Sequence, residues 1–316
     1  MRVALRLAMA AVLGFGLAAL APAEPLDLKQ IADDAKWVAH VDVDAMRAST
    51  VLHKAHEQML KTHPEAEKHL AKVREIWKFN PCTDMHGATF YDTQIKKDSG
   101  IAIVYAKVDR RLMLEKAKQA PEHRAVTYGK YELHSWTHAK GGKHERHMTG
   151  TFYKPDVLVF GNSVEAITAA LDVLDGTKPN IAGKDGPLAA KVPPGAMFVA
   201  RAVGLSQADL PCKSPLAKQV DTLMMAAGEN HGESFLVGRL TVKQPEIARQ
   251  MKTIAEGFLA MAALSHGGDA DAMKLIGALK VTAADKAVTV EWRAPAEAVW
   301  AHVQKMGEKM RPIEKK

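Results

Sequence analysis

Residues 280–303 read KVTAADKAVTVEWRAPAEAVWAHV, and residues 149–171 read TGTFYKPDVLVFGNSVEAITAAL. Each gives an apolar alternating run, a polar turn, a second such run and an amphipathic stretch. That is the pattern of strand, turn, strand and helix. Two further pairs occur in the same order. GAMFVARAV (195–203) matches AKWVAHVDV (35–43) in character, and ESFLVGRLTVKQPEIARQMKTI (233–254) matches SGIAIVYAKVDRRLMLEKAKQ (99–119) as strand, polar break and helix. Three blocks in one order imply an internal duplication of an α+β unit. The second copy lacks an equivalent of residues 120–148, so that segment is an embellishment on a repeated scaffold. Embellishments of this kind carry function more often than the scaffold does.

The remaining periodicity fills in the elements. Helices are expected over 44–61, 65–78, 110–119 and 162–176, and strands over 36–43, 86–93, 100–108, 123–129, 130–138, 146–153 and 156–160. Alternating strands and helices with several hairpins predict an α+β fold. Its sheet should be mixed or antiparallel, with helices on one face and a ferredoxin-like βαββαβ variant in each half. The Gly- and Pro-rich stretch 176–195 reads as a connector. The expected division is a first domain over 24–180, a linker over 181–194 and a second, shorter domain over 195–316.

The chain opens MRVALRLAMAAVLGFGLAALAPAEP. Arg2 and Arg6, the apolar run Leu7 to Leu20 and Ala21-Pro22-Ala23 form the three regions of a secretory signal peptide, with cleavage expected after Ala23. An exported protein, periplasmic or extracellular, is the expectation. Cys82 and Cys212 each follow a proline. In an oxidising compartment they can pair and clamp the halves together; two separate buried thiols are the alternative.

Charge is concentrated. The full chain carries a formal net charge of +7. Residues 24–106 are net −2, residues 107–147 net +5 and residues 148–316 net +2. The middle window also holds His123, His134, His138, His144 and His147 with Tyr128, Tyr131 and Trp136. Basic groups interleaved with aromatics suit an anionic polymer, whose charge they neutralise and whose rings they stack on. Arg124, Lys130, Trp136, Lys140, Lys143 and Arg146 are the candidate ligand-binding residues. An anionic polysaccharide or another envelope component is the candidate partner. Specific nucleic acid recognition is not expected, and a solvated basic face is the plain alternative.

If Gly141-Gly142 is a two-residue turn, His138 faces Glu145 and Trp136 faces His147. His134, Trp136, His138, Glu145 and His147 then share the outer face, with Tyr131, Leu133, Met148 and Phe152 turned inward. His138, Glu145 and His147 come within diagonal reach, a donor set suited to zinc or another divalent transition metal. A register change of one residue would scatter it.

Enzyme signatures are weak. Gly161-Asn162-Ser163 lacks the last glycine of a nucleophile elbow, and Ser163 reads as helix-start chemistry. His266-Gly267-Gly268 reads as a helix end, His53 and His56 lack the HExxH order, and Asp42 with Asp44 could form an acid pair. Catalysis is therefore not the leading reading, with an uncatalogued hydrolase as an alternative. The helix expected over 251–264 is apolar around most of its circumference. It should be buried between layers, or serve a homodimer contact.

The blocks AKWVAHVDVDAMRAS, HGATFYDT, ALDVLDG, VARAVGL, ENHGESF and VTVEWRAPAEAVWAHV resemble an uncharacterised family of exported bacterial proteins of the planctomycete type. The resemblance covers nearly all of residues 24–316. It implies export and a shared fold, and brings no activity, cofactor or site residues.

Overall fold

The computed structural model describes residues 25–96, 99–140, 144–208 and 215–309, without the side chains of residues 64, 138–140, 144, 145 and 309. The expected signal peptide over 1–23 and Cys212 lie outside the described residues. Strand β1 (Trp37–Asp42) runs into helices α1 (Val43–Ala48), α2 (Thr50–Thr62), α3 (Pro64–Trp77) and a single turn, α4 (Pro81–Asp84). Then come β2 (Met85–Asp92), β3 (Ile101–Ala106), α5 (Arg110–Lys118), β4 (Arg124–Tyr128), β5 (Tyr131–Lys140), β6 (His144–Lys154), β7 (Val157–Gly161) and α6 (Val164–Leu174). The second half holds β8 (Ala196–Val203), β9 (Val220–Asn230), β10 (Glu233–Val242), α7 (Pro245–Ser265), α8 (Ala270–Gly277), β11 (Lys280–Ala284), β12 (Ala287–Pro295) and α9 (Ala296–Lys309).

All of these strands join one antiparallel sheet in the order β11-β12-β10-β9-β8-β1-β2-β3-β7-β6-β5-β4. The repeat is visible in that order. Outward from the β1–β8 join, one side runs β1-β2-β3-β7-β6 and the other runs β8-β9-β10-β12-β11. Helices α5 and α7 follow the third strand of each copy, and α6 and α9 follow the fourth. Only the first copy continues outward, with β5 and β4.

Alternation of side chains sorts the helices. Val38 lies on one face, and with it Tyr91, Ile103 and Val159 pack against Ile167 and Leu171 of α6. The same cluster crosses the join to Val199, Ala226 and Phe235, so one core serves both copies. Trp37 lies on the opposite face, which leads through Ala202, Leu223 and Leu240 to Val288. There Val288 packs with Val242 and with Ala248 of α7. Helix α5 shares this second face, with the Arg110 guanidinium 5.0 Å above the Phe152 ring. Helices therefore cover both faces of the sheet.

The connector over 176–195 is packed. Ile181 and Leu188 are buried in the shared core, and Ile181 N donates to Ile31 O. Arg201, buried on β8, donates to Leu188 O at 2.7 Å. At the connector's end the chain passes very close to β9. A Cβ at Gly195, where φ is +74°, would meet Glu229 O at 2.2 Å, and one at Gly228 would meet Gly195 O at 2.0 Å. Only glycine fits that approach.

Glu229 then ties the copies together. Its carboxylate accepts from Ser49 Oγ at 2.8 Å, Thr50 N at 2.9 Å and Val51 N at 3.4 Å, at the N-terminus of α2. Those amides have no partner inside the helix, and the helix dipole favours an anion there. Burial alone would raise the carboxyl's pKa, but the bonds from Thr50, Ser49 and Val51 outweigh it and hold it below the ordinary 4.5. Glu229→Ala should cost about 1.5–3 kcal/mol, the range for hydrogen bonds to a charged group. Glu229→Gln should cost less, because its amide oxygen still accepts. The folded pKa is depressed, so the contribution is complete above 4.5 and is lost as pH falls below it. Urea unfolding of the three proteins at neutral and acidic pH measures both effects. Equal midpoints would contradict the assignment.

Candidate functional site

The embellishment forms one edge of the sheet. All five residues of β4 are exposed, and among the described residues β4 pairs only with β5. Helix α5 lies across β5 on the second face, capped by Asp109, whose carboxylate accepts from Leu112 N at 3.0 Å.

The β5–β6 register differs from the expected one by a single residue. Trp136 pairs with Met148, Thr137 with His147, His138 with Arg146, and Lys140 with His144. Three residues, 141–143, therefore separate the last paired positions, where a Gly-Gly turn would leave two. The slip sends position 138 to the face of 136 and 146, and positions 145 and 147 to the opposite face. The register thus separates the metal-ligand set His138, Glu145 and His147. The side chains of His138 and Glu145 lie outside the described residues. The exposed His147 has its Nδ1 3.0 Å from Thr137 Oγ1. Among the described residues, no group of three or more His, Cys, Asp or Glu is placed to hold a metal ion.

His134 is also not where the sequence placed it. It pairs with Gly150 and is only 3 % exposed, beneath the chain that leaves α5. Its Nδ1 lies 3.0 Å from His123 Nε2, and the two rings stack 5.3 Å apart. Burial lowers its pKa from the ordinary 6.5, against the opposing pull of Glu132. Phe152 and Met148, expected inward with Tyr131 and Leu133, lie on the second face instead. Trp136 is half-buried on that face beside Phe160, above Gly150, where a Cβ would come within 3.4 Å of the indole.

The candidate anion-binding residues separate into distinct environments. Arg124 is exposed and has no ion pair among the described residues. Lys130 is tied to Asp175 at 3.1 Å and lies 5.0 Å from the Tyr131 ring centroid. Arg146 is half-buried and has a partner. The side chain of Lys140, and all of Lys143, lie outside the described residues. The structure adds residues that the hairpin reading passed over. Arg111, Lys116 and Lys118 on α5 are exposed and form no ion pair among the described residues. Their signal in the sequence is the charged window 107–147, within which all three fall.

The other motifs resolve into structural roles. Ser163 Oγ caps α6 by accepting from Ala166 N at 3.2 Å. Asp42 caps α1, accepting from Ala45 N at 2.8 Å, and burial pushes its pKa up to about 6. Asp44 pairs with Arg47 and with His86 Nδ1, the latter at 3.0 Å. His266 closes α7. Cys82 is buried and free among the described residues, and burial raises its thiol pKa. A cavity of about 650 Å³ lies beside α6, lined by Asp33, Asp34, Tyr91, Asp92 and Lys178 among others. Asp33 pairs with Lys184 and Lys178 with Asp172.

No protein-family model and no curated protein matches the chain. Among solved structures, crystal form I of TP0453 is similar over 90 % of this chain and 98 % of its own, at 7 % identity and a TM-score of 0.44. Crystal form IV covers 87 % and 95 %, at 7 % identity and a TM-score of 0.45. Likeness at that level transfers no function. No helix among the described residues is long and apolar enough to cross a membrane.

His134 makes this edge sensitive to acid. Its folded pKa lies below the unfolded 6.5, so the unfolded chain takes up a proton that the folded chain refuses. Stability should hold above that value and fall as pH drops through it. Urea midpoints at about pH 7.5 and about pH 5.5 should diverge in the parent and converge in His134→Gln. Equal pH dependence in both would refute this.

Proposed function

We propose that the chain is an exported binding protein that engages an anionic polymer of the cell envelope, an acidic polysaccharide first, through the edge built by α5 and β4. One observation supports this most. Arg111, Lys116, Lys118 and Arg124 are exposed without ion pairs among the described residues, in the window that is net +5. Surface cations paired in place, such as Lys130 with Asp175, have already spread their field over a neighbour. Unpaired ones sum to a positive potential that concentrates a polyanion and releases its counterions on contact. Val126 and Tyr128 share the first face of the edge strand with Arg124 and offer apolar area beside it. Trp136 and Arg146 extend the candidate surface along the hairpin; Lys140 and Lys143 belong to the same charged window of the sequence.

Heparin affinity chromatography tests the reading. The parent should elute at higher salt than a variant carrying Arg111→Ala, Lys116→Ala, Lys118→Ala and Arg124→Ala. The slope of log affinity against log salt should drop by about three to four, close to one for each anionic contact removed. Identical elution of parent and variant would refute the site.

A further inference from the structure

At the far end of the sheet from this edge, α7 is longer than its role in the repeat requires. Its counterpart α5 has nine residues and α7 has twenty-one. The first turns of α7 do the packing, with Ile247, Ala248 and Met251 against β11 and β12. Beyond them the helix shows apolar side chains to solvent. Ile254 is 44 % exposed, Phe258 64 %, Met261 55 % and Leu264 85 %. Their spacing of four, three and three places them along one side of the helix. Met273 on α8 and Val303 on α9 are also exposed on the adjoining helices. A continuous apolar surface beyond a few hundred Å² marks an interaction site on a soluble protein.

Charge selects the occupant. Every charged residue of α7 is paired within the helix, Arg249 with Glu246 and Lys252 with Glu256. From Gly257 to Gly268 there is no Asp, Glu, Lys or Arg. Helices that lie in a lipid interface carry a cationic polar face, and α7 has none. A partner of strong net charge would also find nothing complementary. A second copy of the same face meets no like-charge repulsion, and a two-fold contact requires the patch to complement itself. We propose that the exposed stripe of α7 is the interface of a homodimer, two copies of the helix packed across a two-fold axis. The basic edge of each protomer lies at the other end of its sheet, so both stay free. The dimer stands without the polyanion reading; only its use as a two-headed ligand for a polymer rests on it.

Sedimentation velocity of the mature protein over a range of micromolar concentrations tests this. The parent should run at twice the protomer mass. Phe258→Glu and Leu264→Glu should each run at the protomer mass, with unchanged circular dichroism and unchanged heparin elution from a sparsely loaded column. A parent that is monomeric at every concentration overturns the proposal, as does a dimer that both substitutions leave intact. Flotation of a monomeric parent with neutral phosphatidylcholine vesicles, lost in Leu264→Glu, would give the face to lipid and equally overturn it. Loss of heparin binding in the Arg111, Lys116, Lys118 and Arg124 variant leaves this result untouched, so the two readings fail separately.

Discussion

Strand β1 is the element on which the rest depends. It pairs along its length with β2 on one side and with β8 on the other, both antiparallel. Val38 therefore has Tyr91 and Arg201 as neighbours, one from each copy, and His40 has Thr89 and Val199. Without the second pairing the two copies would be separate sheets, each with a bare edge beside its own core. Unpaired strand edges invite association with other chains. The join hides two such edges in each other. It also merges two modest cores into one cluster running from Leu133 to Phe235. The Glu229 carboxylate on the N-terminus of α2 crosses the same boundary from the second copy, placed there by the glycine-only approach of Gly195 and Gly228.

Once the centre is fixed, the ends are free to differ. The first copy extends outward by β5 and β4, and the positive charge lies there. The second ends at β11 as its edge strand, and its third-strand helix reaches into solvent with its charges neutralised in pairs. The two outgrowths have opposite physical character, one cationic and polar and the other neutral and apolar. Both sit where the repeat imposes no packing requirement.

Much of this architecture was legible in the sequence, because the repeat is written as matching apolar periods. Blocks 149–171 and 280–303 gave β6-β7-α6 and β11-β12-α9 with small errors at their ends. Strand β9 was missed. Its centre reads Leu223-Met224-Met225-Ala226-Ala227, residues that favour helix, and only pairing between β8 and β10 makes it extended. The hairpin register was missed by one position, because a Gly-Gly pair suggests a two-residue turn while the paired strands leave three residues between them. That slip puts position 138 on the face opposite positions 145 and 147. The burial of His134 followed from α5 crossing β5, a long-range fact that no local pattern carries. The basic window of the sequence maps to the β4 edge and to α5, where Arg111, Lys116 and Lys118 are exposed without ion pairs among the described residues.

The central claim is that the two copies fold as one unit through β1 and β8. Native-state hydrogen exchange, read by mass spectrometry across a urea series, tests it most directly. The account predicts that β1, β2, β3, β8 and β9 share one opening free energy, with β1 and β8 among the slowest segments to exchange. Two separate opening free energies, one for each copy, with β1 and β8 exposed while their own halves remain protected, would contradict it.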